Sequence, residues 1–160
     1  MRIIRRRFGV GFVLGVGLSM VVAASIAGVR AAQDSTVRRA VNLPGRTVAA
    51  PFSDAILVGE TLYLAGRLGM DPDTGGLPDT AAEEARNVLD SVQAVLAEAG
   101  MTMDDLVQVQ VFCSDVSLFG DFNEVYTTYF SQDPPARAFV GSGSLLRGAR
   151  FEVLGIAVRG

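Results

Sequence analysis

Two charged residues near the carboxyl terminus are the strongest candidates for chemistry in this sequence. Arg137 follows Pro134 and Pro135 at the start of an apolar run, and Glu152 lies inside the next apolar run. A charged side chain in such a segment is costly to bury unless a partner or a ligand compensates it. A guanidinium can hold a carboxylate through two parallel hydrogen bonds, and a carboxylate can orient or deprotonate water. The pair is therefore a candidate site for a small acid, and a structural ion pair between the two residues is the alternative.

The composition excludes several other kinds of catalysis. The 160-residue chain has no histidine and a single cysteine, Cys113, so the usual ligands of zinc and redox metals are missing and an internal disulfide is impossible. Cys113 has no histidine to activate it, which favours a small packed residue over a nucleophile. The 14 basic residues, all arginines, are outnumbered by 17 acidic ones, and this balance argues against a nucleic-acid partner.

The first 32 residues predict a targeting segment. Four arginines between residues 2 and 7 precede an uncharged apolar run at 8–28, and a small-residue site favours cleavage after Ala31. A twin-arginine motif at residues 5–8 leaves both the Sec route and the twin-arginine route open. The alternative is an uncleaved anchor, because the apolar run can just cross a bilayer about 30 Å thick. We therefore expect the rest of the chain in the periplasm or the medium, or tethered to the inner membrane.

The chain after this segment begins with signals for β-structure. Residues 33–46 are polar and mixed, which we interpret as a linker with a first edge strand. Two apolar runs at 55–58 and 61–66 flank a short turn and predict a β-hairpin. Residues 71–76 begin like a calcium loop, but Ala82 stands where that loop needs an acid, so an ordinary turn is favoured.

Two amphipathic helices are predicted in the remaining chain. Thr80 and Glu83 form a capping box, and apolar residues with helical spacing continue to Gly100, where the helix ends. A second helix is expected from Leu118 to Phe130. Further strands are predicted at residues 106–112, 137–140 and 151–158, with Val107, Val109 and Val111 on one face of the first.

The resulting order, β-β-β-α-β-α-β-β, predicts an α+β domain of two layers, in which both helices cover one face of a single sheet. The opposite face of the sheet also needs a cover, and oligomerisation is the simplest way to supply it. In this arrangement Arg137 starts a strand beside the strand that carries Glu152.

Seven short motifs in the chain resemble the RidA/YjgF family of enamine/imine deaminases. All seven fall in the family's order and spacing and together cover about residues 40–159, which include most of the domain predicted at 47–160. The motifs are Pro51-Phe52-Ser53-Asp54-Ala55, Leu64-Ala65-Gly66, Asp71-Pro72-Asp73-Thr74-Gly75, Val111-Phe112, Phe122-Asn123-Glu124-Val125-Tyr126, Pro135-Ala136-Arg137, and Phe151-Glu152-Val153 continuing to Ile156-Ala157-Val158.

The resemblance implies a fold and an activity. The expected assembly is a homotrimer of chorismate-mutase-like subunits around a central β-barrel, with three clefts between neighbouring subunits. The expected activity is that of a 2-iminobutanoate/2-iminopropanoate deaminase, a hydrolase that converts 2-aminoacrylate and related imines to 2-keto acids and ammonia without a metal or an organic cofactor. The expected partners are the small-molecule substrate and the chain itself.

The resemblance also assigns site residues. It implies that Arg137 binds the substrate carboxylate, that Glu152 lies near the attacking water, and that Asn123 lines the cleft. Arg137 and Glu152 are thus the expected catalytic residues. For Asn123, a solvated position on the second helix is the alternative.

Several positions depart from the family pattern. Among the expected substrate-binding residues, Phe52 replaces a tyrosine, Ala65 replaces a serine and Arg67 replaces a glutamine. Phe139 stands where a small residue or cysteine is frequent, and Leu154 replaces a second acid. Two cleft hydroxyls are therefore lost, which leaves a non-catalytic trimer that binds small carboxylates or acts as a scaffold as the alternative function. Whether Arg67 enters the cleft stays open.

Overall fold

The computed structural model describes residues 37–46 and 50–160. The signal peptide or anchor predicted at residues 1–32 lies outside these described residues. None of the helices in the described ranges combines the length and the apolar character needed to span a membrane.

A seven-stranded sheet organises the domain. Its strands are β1 (Arg38–Val41), β2 (Ala55–Val58), β3 (Thr61–Leu64), β4 (Arg67–Leu68), β5 (Leu106–Cys113), β6 (Ala136–Gly141) and β7 (Phe151–Val158). They lie in the order β1-β2-β3-β7-β5-β6, and β4 pairs with β7 as well. Neighbouring strands are antiparallel except β5 and β6, which are parallel.

Two helices cover one face of this sheet. They are α1 (Ala81–Glu98) and α2 (Phe119–Tyr126), and short 3-10 turns flank α2 at Val116–Leu118 and Thr127–Tyr129. The capping interaction at the start of α1 is confirmed, since the Glu83 amide donates to Thr80 Oγ1 at 3.2 Å and the Thr80 hydroxyl donates to the Glu83 carboxylate at 2.9 Å. The α+β order predicted from the sequence is confirmed, with the two-residue strand β4 as an addition.

The second helix is shorter than predicted. The sequence pattern suggests one helix from Leu118 to Phe130, whereas the α-helical part ends at Tyr126. Beyond that point the Thr127 hydroxyl donates to the carbonyl of Asn123 at 3.1 Å, and the Thr128 hydroxyl donates to the carbonyl of Val125 at 2.7 Å. Threonine side chains that bond back to the preceding turn disfavour regular helix, so the chain tightens into a 3-10 turn.

Val107 on β5 is exposed, although the alternation pattern of the sequence predicts that it faces the same side as Val109 and Val111. The pairing register of β5 with β7 shifts between Leu106 and Gln108. As a result Leu106 and Val109 are both buried, while Val107 is 49% exposed. The prediction that Val107 shares a face with Val109 and Val111 is therefore wrong, because an irregularity of one residue breaks the two-residue period of a strand.

The face of the sheet opposite the helices has no cover within the described chain. On β7 the buried residues Phe151 and Val153 alternate with residues that point to this open face, among them Leu154. Large apolar side chains remain accessible there, including Tyr63 on β3, which is 49% exposed, and Val158 at the end of β7. Large apolar side chains exposed together on a sheet face are typical of an interaction surface.

A buried carboxylate ties the helical layer to the start of β7. Glu84 on α1 is 0% exposed. It accepts hydrogen bonds from the backbone amides of Arg150 and Phe151, at 2.6 and 3.0 Å, and from Arg150 Nη1 at 2.7 Å. This network fixes the beginning of the strand that carries Glu152.

The loop at residues 71–76 forms an ordinary turn, as predicted. Asp71 Oδ1 accepts hydrogen bonds from the amides of Asp73 and Thr74 and from the Thr74 hydroxyl, at 2.8 to 3.0 Å. These bonds hold the pKa of the Asp71 carboxyl below its usual value. In the described part of the chain, no group of three or more acidic, histidine or cysteine side chains is placed to hold a metal ion.

Candidate active site

Arg137 and Asn123 are in direct contact. Arg137 lies on β6 with its side chain on the helical side of the sheet, and its Nη2 atom donates to Asn123 Oδ1 at 2.7 Å. Asn123 lies on α2, half-buried. The alternative of a solvated helix residue therefore does not describe Asn123, because its amide oxygen orients the guanidinium.

Aromatic rings surround the guanidinium of Arg137. Its Cζ atom lies 4.4 Å from the centroid of the Tyr126 ring. Three phenylalanine rings, those of Phe119, Phe122 and Phe139, have centroids 5.7 to 5.9 Å from the same atom. A cation over an aromatic face gains about 2 kcal/mol when it is desolvated. The rings therefore make a partly buried cation tolerable without a carboxylate partner.

A cleft of about 540 Å³ lies against Arg137, between the end of α2 and the two prolines that precede β6. Two polar atoms at this cleft, Arg137 Nη1 and the Tyr126 hydroxyl oxygen, are buried without a hydrogen-bond partner in the described chain. A buried donor without a partner costs about 1–3 kcal/mol, and more when it is charged. Burial raises the pKa of Tyr126, and the nearby Arg137 cation offsets part of that rise.

Glu152 belongs to a different surface of the subunit. It lies between the buried residues Phe151 and Val153 of β7, so its side chain points away from the helices. Its carboxylate sits against Gly66, where a Cβ atom would overlap Glu152 Oε1. Glu152 has no ion pair or hydrogen bond from its side chain to another residue of the described ranges.

The predicted adjacency of the strands carrying Arg137 and Glu152 is wrong. Strand β5 lies between β6 and β7. Arg137 is opposite Val109, and Val109 is opposite Gly155, three residues beyond Glu152. The two charged side chains also point to opposite faces of the sheet. A structural ion pair between them within one chain is therefore excluded.

The other expected substrate-binding residues lie around β3 and β4, away from Arg137. Ala65 and Gly66 connect β3 to β4, and Arg67 begins β4. Phe52 is 57% exposed and lines a second cleft of about 550 Å³ together with Gly66 and Arg67. The described chain thus carries two separate groups of expected site residues: an arginine half-site with Arg137, Asn123 and Tyr126, and an acid half-site with Glu152 and Gly66. The cleft lined by Phe52 and Arg67 also contacts α1 and does not include Glu152.

Arg67 is held by protein groups on the helical side of the sheet. Its Nη1 atom pairs with Asp54 Oδ1 at 2.7 Å, and its Nε donates to Ser91 Oγ at 2.8 Å. Asp54 is 5% exposed and also accepts from the amide of Leu43 at 2.9 Å. The ion pair neutralises Arg67, and the Ser91 bond ties β4 to α1, roles that the sequence patterns do not reveal.

Tyr126 is a functional candidate that the sequence patterns do not single out, because an aromatic residue on an apolar stripe is usually a core residue. The sequence nevertheless contains a signal for Tyr126, because Asn123 and Tyr126 are three residues apart and therefore share one face of the predicted helix. Cys113, by contrast, is buried as expected, and burial raises the pKa of its thiol.

Comparisons with known proteins agree with this fold. The sequence model of the family described as Endoribonuclease L-PSP matches residues 45–159. A 2-iminobutanoate/2-iminopropanoate deaminase of Rattus norvegicus is 41% identical over 110 residues, which cover 68% of this chain and 80% of that relative. The YjgF gene product of E. coli has a TM-score of 0.71 at 28% identity, covering 76% of this chain and 99% of that one. E. coli TdcF with bound serine has a TM-score of 0.69 at 27% identity, covering 78% and 99%.

Proposed function

The chain belongs to the RidA/YjgF (endoribonuclease L-PSP) family, and we propose on that premise that it hydrolyses reactive enamines and imines of the 2-aminoacrylate type to 2-keto acids and ammonia. The observation that carries the proposal is the arginine half-site: a guanidinium in an aromatic cleft, oriented by Asn123, with a buried donor that has no partner in the described chain. A relative with 41% identity is named as a deaminase of this kind.

Arg137 would bind and orient the substrate through its carboxylate. A planar guanidinium fixes a carboxylate through parallel hydrogen bonds, which a lysine cannot do. The relative TdcF was solved with bound serine, a small molecule that carries such a carboxylate. Orientation matters because a protonated imine is already electrophilic, and the enzyme mainly has to align it with water.

Glu152 would serve as the general base and acid. Water adds to the imine carbon while the carboxylate accepts a proton from it, which gives a tetrahedral carbinolamine. The same proton then passes to the nitrogen and the C–N bond breaks as the hydroxyl oxygen forms the C=O bond of the 2-keto acid. The carboxylate passes the hydroxyl proton on to the departing ammonia, which leaves as ammonium, and the carboxylate is restored. The hydrolysis changes no oxidation state, so these steps need no electron acceptor.

The reaction requires a second copy of the chain. Within one subunit Arg137 and Glu152 point to opposite faces of the sheet, so one subunit cannot present both to one small substrate. We assign the assembly to a homotrimer, in which the arginine half-site of one subunit faces the acid half-site of its neighbour. The exposed apolar face of the sheet supports this assembly, since association would bury it in a central barrel.

A non-catalytic carboxylate-binding trimer is the second candidate. It is favoured by Phe52 and Ala65, which lack the hydroxyls that could bond the substrate or the water. Loss of one such hydroxyl costs about 1 kcal/mol if its partner can turn to solvent, which lowers turnover more readily than binding. A tethered trimer with structural duties is the corresponding proposal if residues 8–28 remain as an anchor; with cleavage, the domain is proposed to be periplasmic or extracellular.

The test is clearance of an imine produced in the assay. An amino-acid oxidase generates the 2-imino acid, semicarbazide traps it, and a deaminase slows semicarbazone formation by removing it. Arg137→Ala should abolish this effect, and the matched control Arg86→Ala, at an exposed position on α1, should retain it. If wild-type protein clears imine no faster than Arg137→Ala, the deaminase proposal fails. Stabilisation by 2-keto acids without turnover would then favour the binder.

A further inference from the structure

Two donors that line the Arg137 cleft share one property. Arg137 Nη1 and the Tyr126 hydroxyl are both buried, and neither finds an acceptor among the described residues. The neighbouring nitrogen, Nη2, is satisfied by Asn123. Arg137 Nη1 can only donate, and a phenol hydroxyl donates readily, so the group that completes the pair must offer acceptor atoms.

A comparison with Tyr129 shows that the chain can satisfy a tyrosine hydroxyl where it is structural. Three residues after Tyr126, the Tyr129 hydroxyl donates to the Asp90 carboxylate at 2.6 Å and approaches the Arg86 carbonyl at 3.2 Å. Tyr126 is more deeply buried but has no such partner in the described chain. For packing alone, phenylalanine would fill the same place without an unpaired hydroxyl.

We infer that Tyr126 is a ligand-positioning residue of the arginine half-site: its ring carries the guanidinium of Arg137, and its hydroxyl donates a hydrogen bond to the carboxylate that Arg137 binds. The inference rests on the proposed function, because it names a further residue of the same site. The ring lies 4.4 Å below the guanidinium carbon, which limits tilting of the guanidinium plane.

The electrostatics of the cleft agree with a neutral donor at this position. Burial raises the pKa of Tyr126, so the phenol keeps its proton at neutral pH, and the Arg137 cation opposes only part of that rise. A protonated phenol beside a cation can receive an anion, whereas a phenolate would repel it. The ligand class is therefore a small carboxylate, as in a 2-imino acid or its 2-keto product.

The experiment compares Tyr126→Phe with the matched control Tyr129→Phe. Melting temperatures are measured with and without pyruvate, and kcat and KM are measured in the imine assay. Tyr126→Phe should melt at or above the wild-type temperature, because an unpaired hydroxyl is removed. It should lose most of the stabilisation by pyruvate and show a KM about tenfold higher with a smaller change in kcat. Tyr129→Phe should melt lower, because Asp90 loses its donor, with KM unchanged.

The outcomes separate this inference from the proposed function. If Tyr126→Phe keeps the wild-type stabilisation by pyruvate and the wild-type KM, the inference about Tyr126 is wrong, and the proposed deaminase function is unaffected. If Tyr126→Phe melts at a lower temperature than wild type and its KM is unchanged, Tyr126 has only a structural role, and the inference is also wrong. Absence of pyruvate stabilisation in wild type would refute it whatever the turnover. Pyruvate stabilisation that depends on Tyr126 without imine turnover would sustain the inference and defeat the deaminase.

Discussion

Replacing Gly66 by alanine is expected to reduce imine turnover about 100-fold while leaving the fold nearly intact. A Cβ atom on Gly66 would overlap Oε1 of Glu152 and lie 3.0 Å from Cδ and 3.2 Å from Cγ of that side chain. Carbon atoms in contact normally lie about 3.5–4.0 Å apart. The carboxylate must therefore move by roughly 0.5–1 Å, and a misplacement of about 1 Å can cost about 100-fold in rate.

The cost in stability should be small, because the displaced atoms are the far end of a flexible side chain. Overpacking costs about 1–3 kcal/mol in a rigid core, and a glycine-to-alanine change returns about 0.4–1 kcal/mol by restricting the unfolded chain. We expect the two effects nearly to cancel and the melting temperature to change by less than about 5 °C. Turnover in the semicarbazone assay and thermal unfolding followed by circular dichroism measure the two quantities separately.

Two controls sharpen this prediction. Gly120→Ala, on α2, places a methyl group where nothing lies within 4 Å, so it should raise stability slightly and leave kcat unchanged. In a Glu152→Asp background the shorter side chain withdraws from Gly66, so Gly66→Ala should cost much less there than in wild type. A Gly66→Ala protein with wild-type kcat, or with equal costs in both backgrounds, would refute the assignment of Glu152 to the reaction through this contact.

Three further outcomes are expected. Glu84→Ala should lower the free energy of unfolding by about 3–5 kcal/mol in a denaturant titration, because it removes the acceptor of the Arg150 and Phe151 amides and the carboxylate of the Arg150 ion pair; a change below about 1 kcal/mol would contradict this. Ser131 donates to Asp104 and lowers the pKa of that carboxyl from its ordinary value of 3.8, so the bond stabilises the fold above pH 4 and is lost as the pH falls through the lower folded value. Asp104→Asn should therefore reduce the melting temperature at pH 7 and progressively less below pH 4, and an equal reduction at both would speak against it. Mass spectrometry should find a mature chain that begins directly after Ala31, whereas an intact amino terminus would favour the anchor.

Much of the fold could be predicted because its signals are local. The hairpin of β2 and β3 follows from two short apolar runs around a turn, and α1 follows from its cap and its 3.6-residue period. The end of α2 and the register shift at Val107 could not be predicted in this way. Both depend on competing hydrogen bonds and on the pairing partner, which a periodic pattern does not contain.

The sequence by itself excluded histidine and internal disulfide chemistry, and the family resemblance implied Arg137, Glu152 and Asn123 as the expected site residues. Only the tertiary structure decided how they are distributed. Strand β5 lies between β6 and β7 and separates the arginine from the acid, and the pairing registers place the two side chains on opposite faces of the sheet. Strand order and side-chain facing arise from pairings between residues far apart in the chain, so they cannot be obtained from spacing alone. The same packing brings Tyr126 under the guanidinium and leaves its hydroxyl without a hydrogen-bond partner among the described residues.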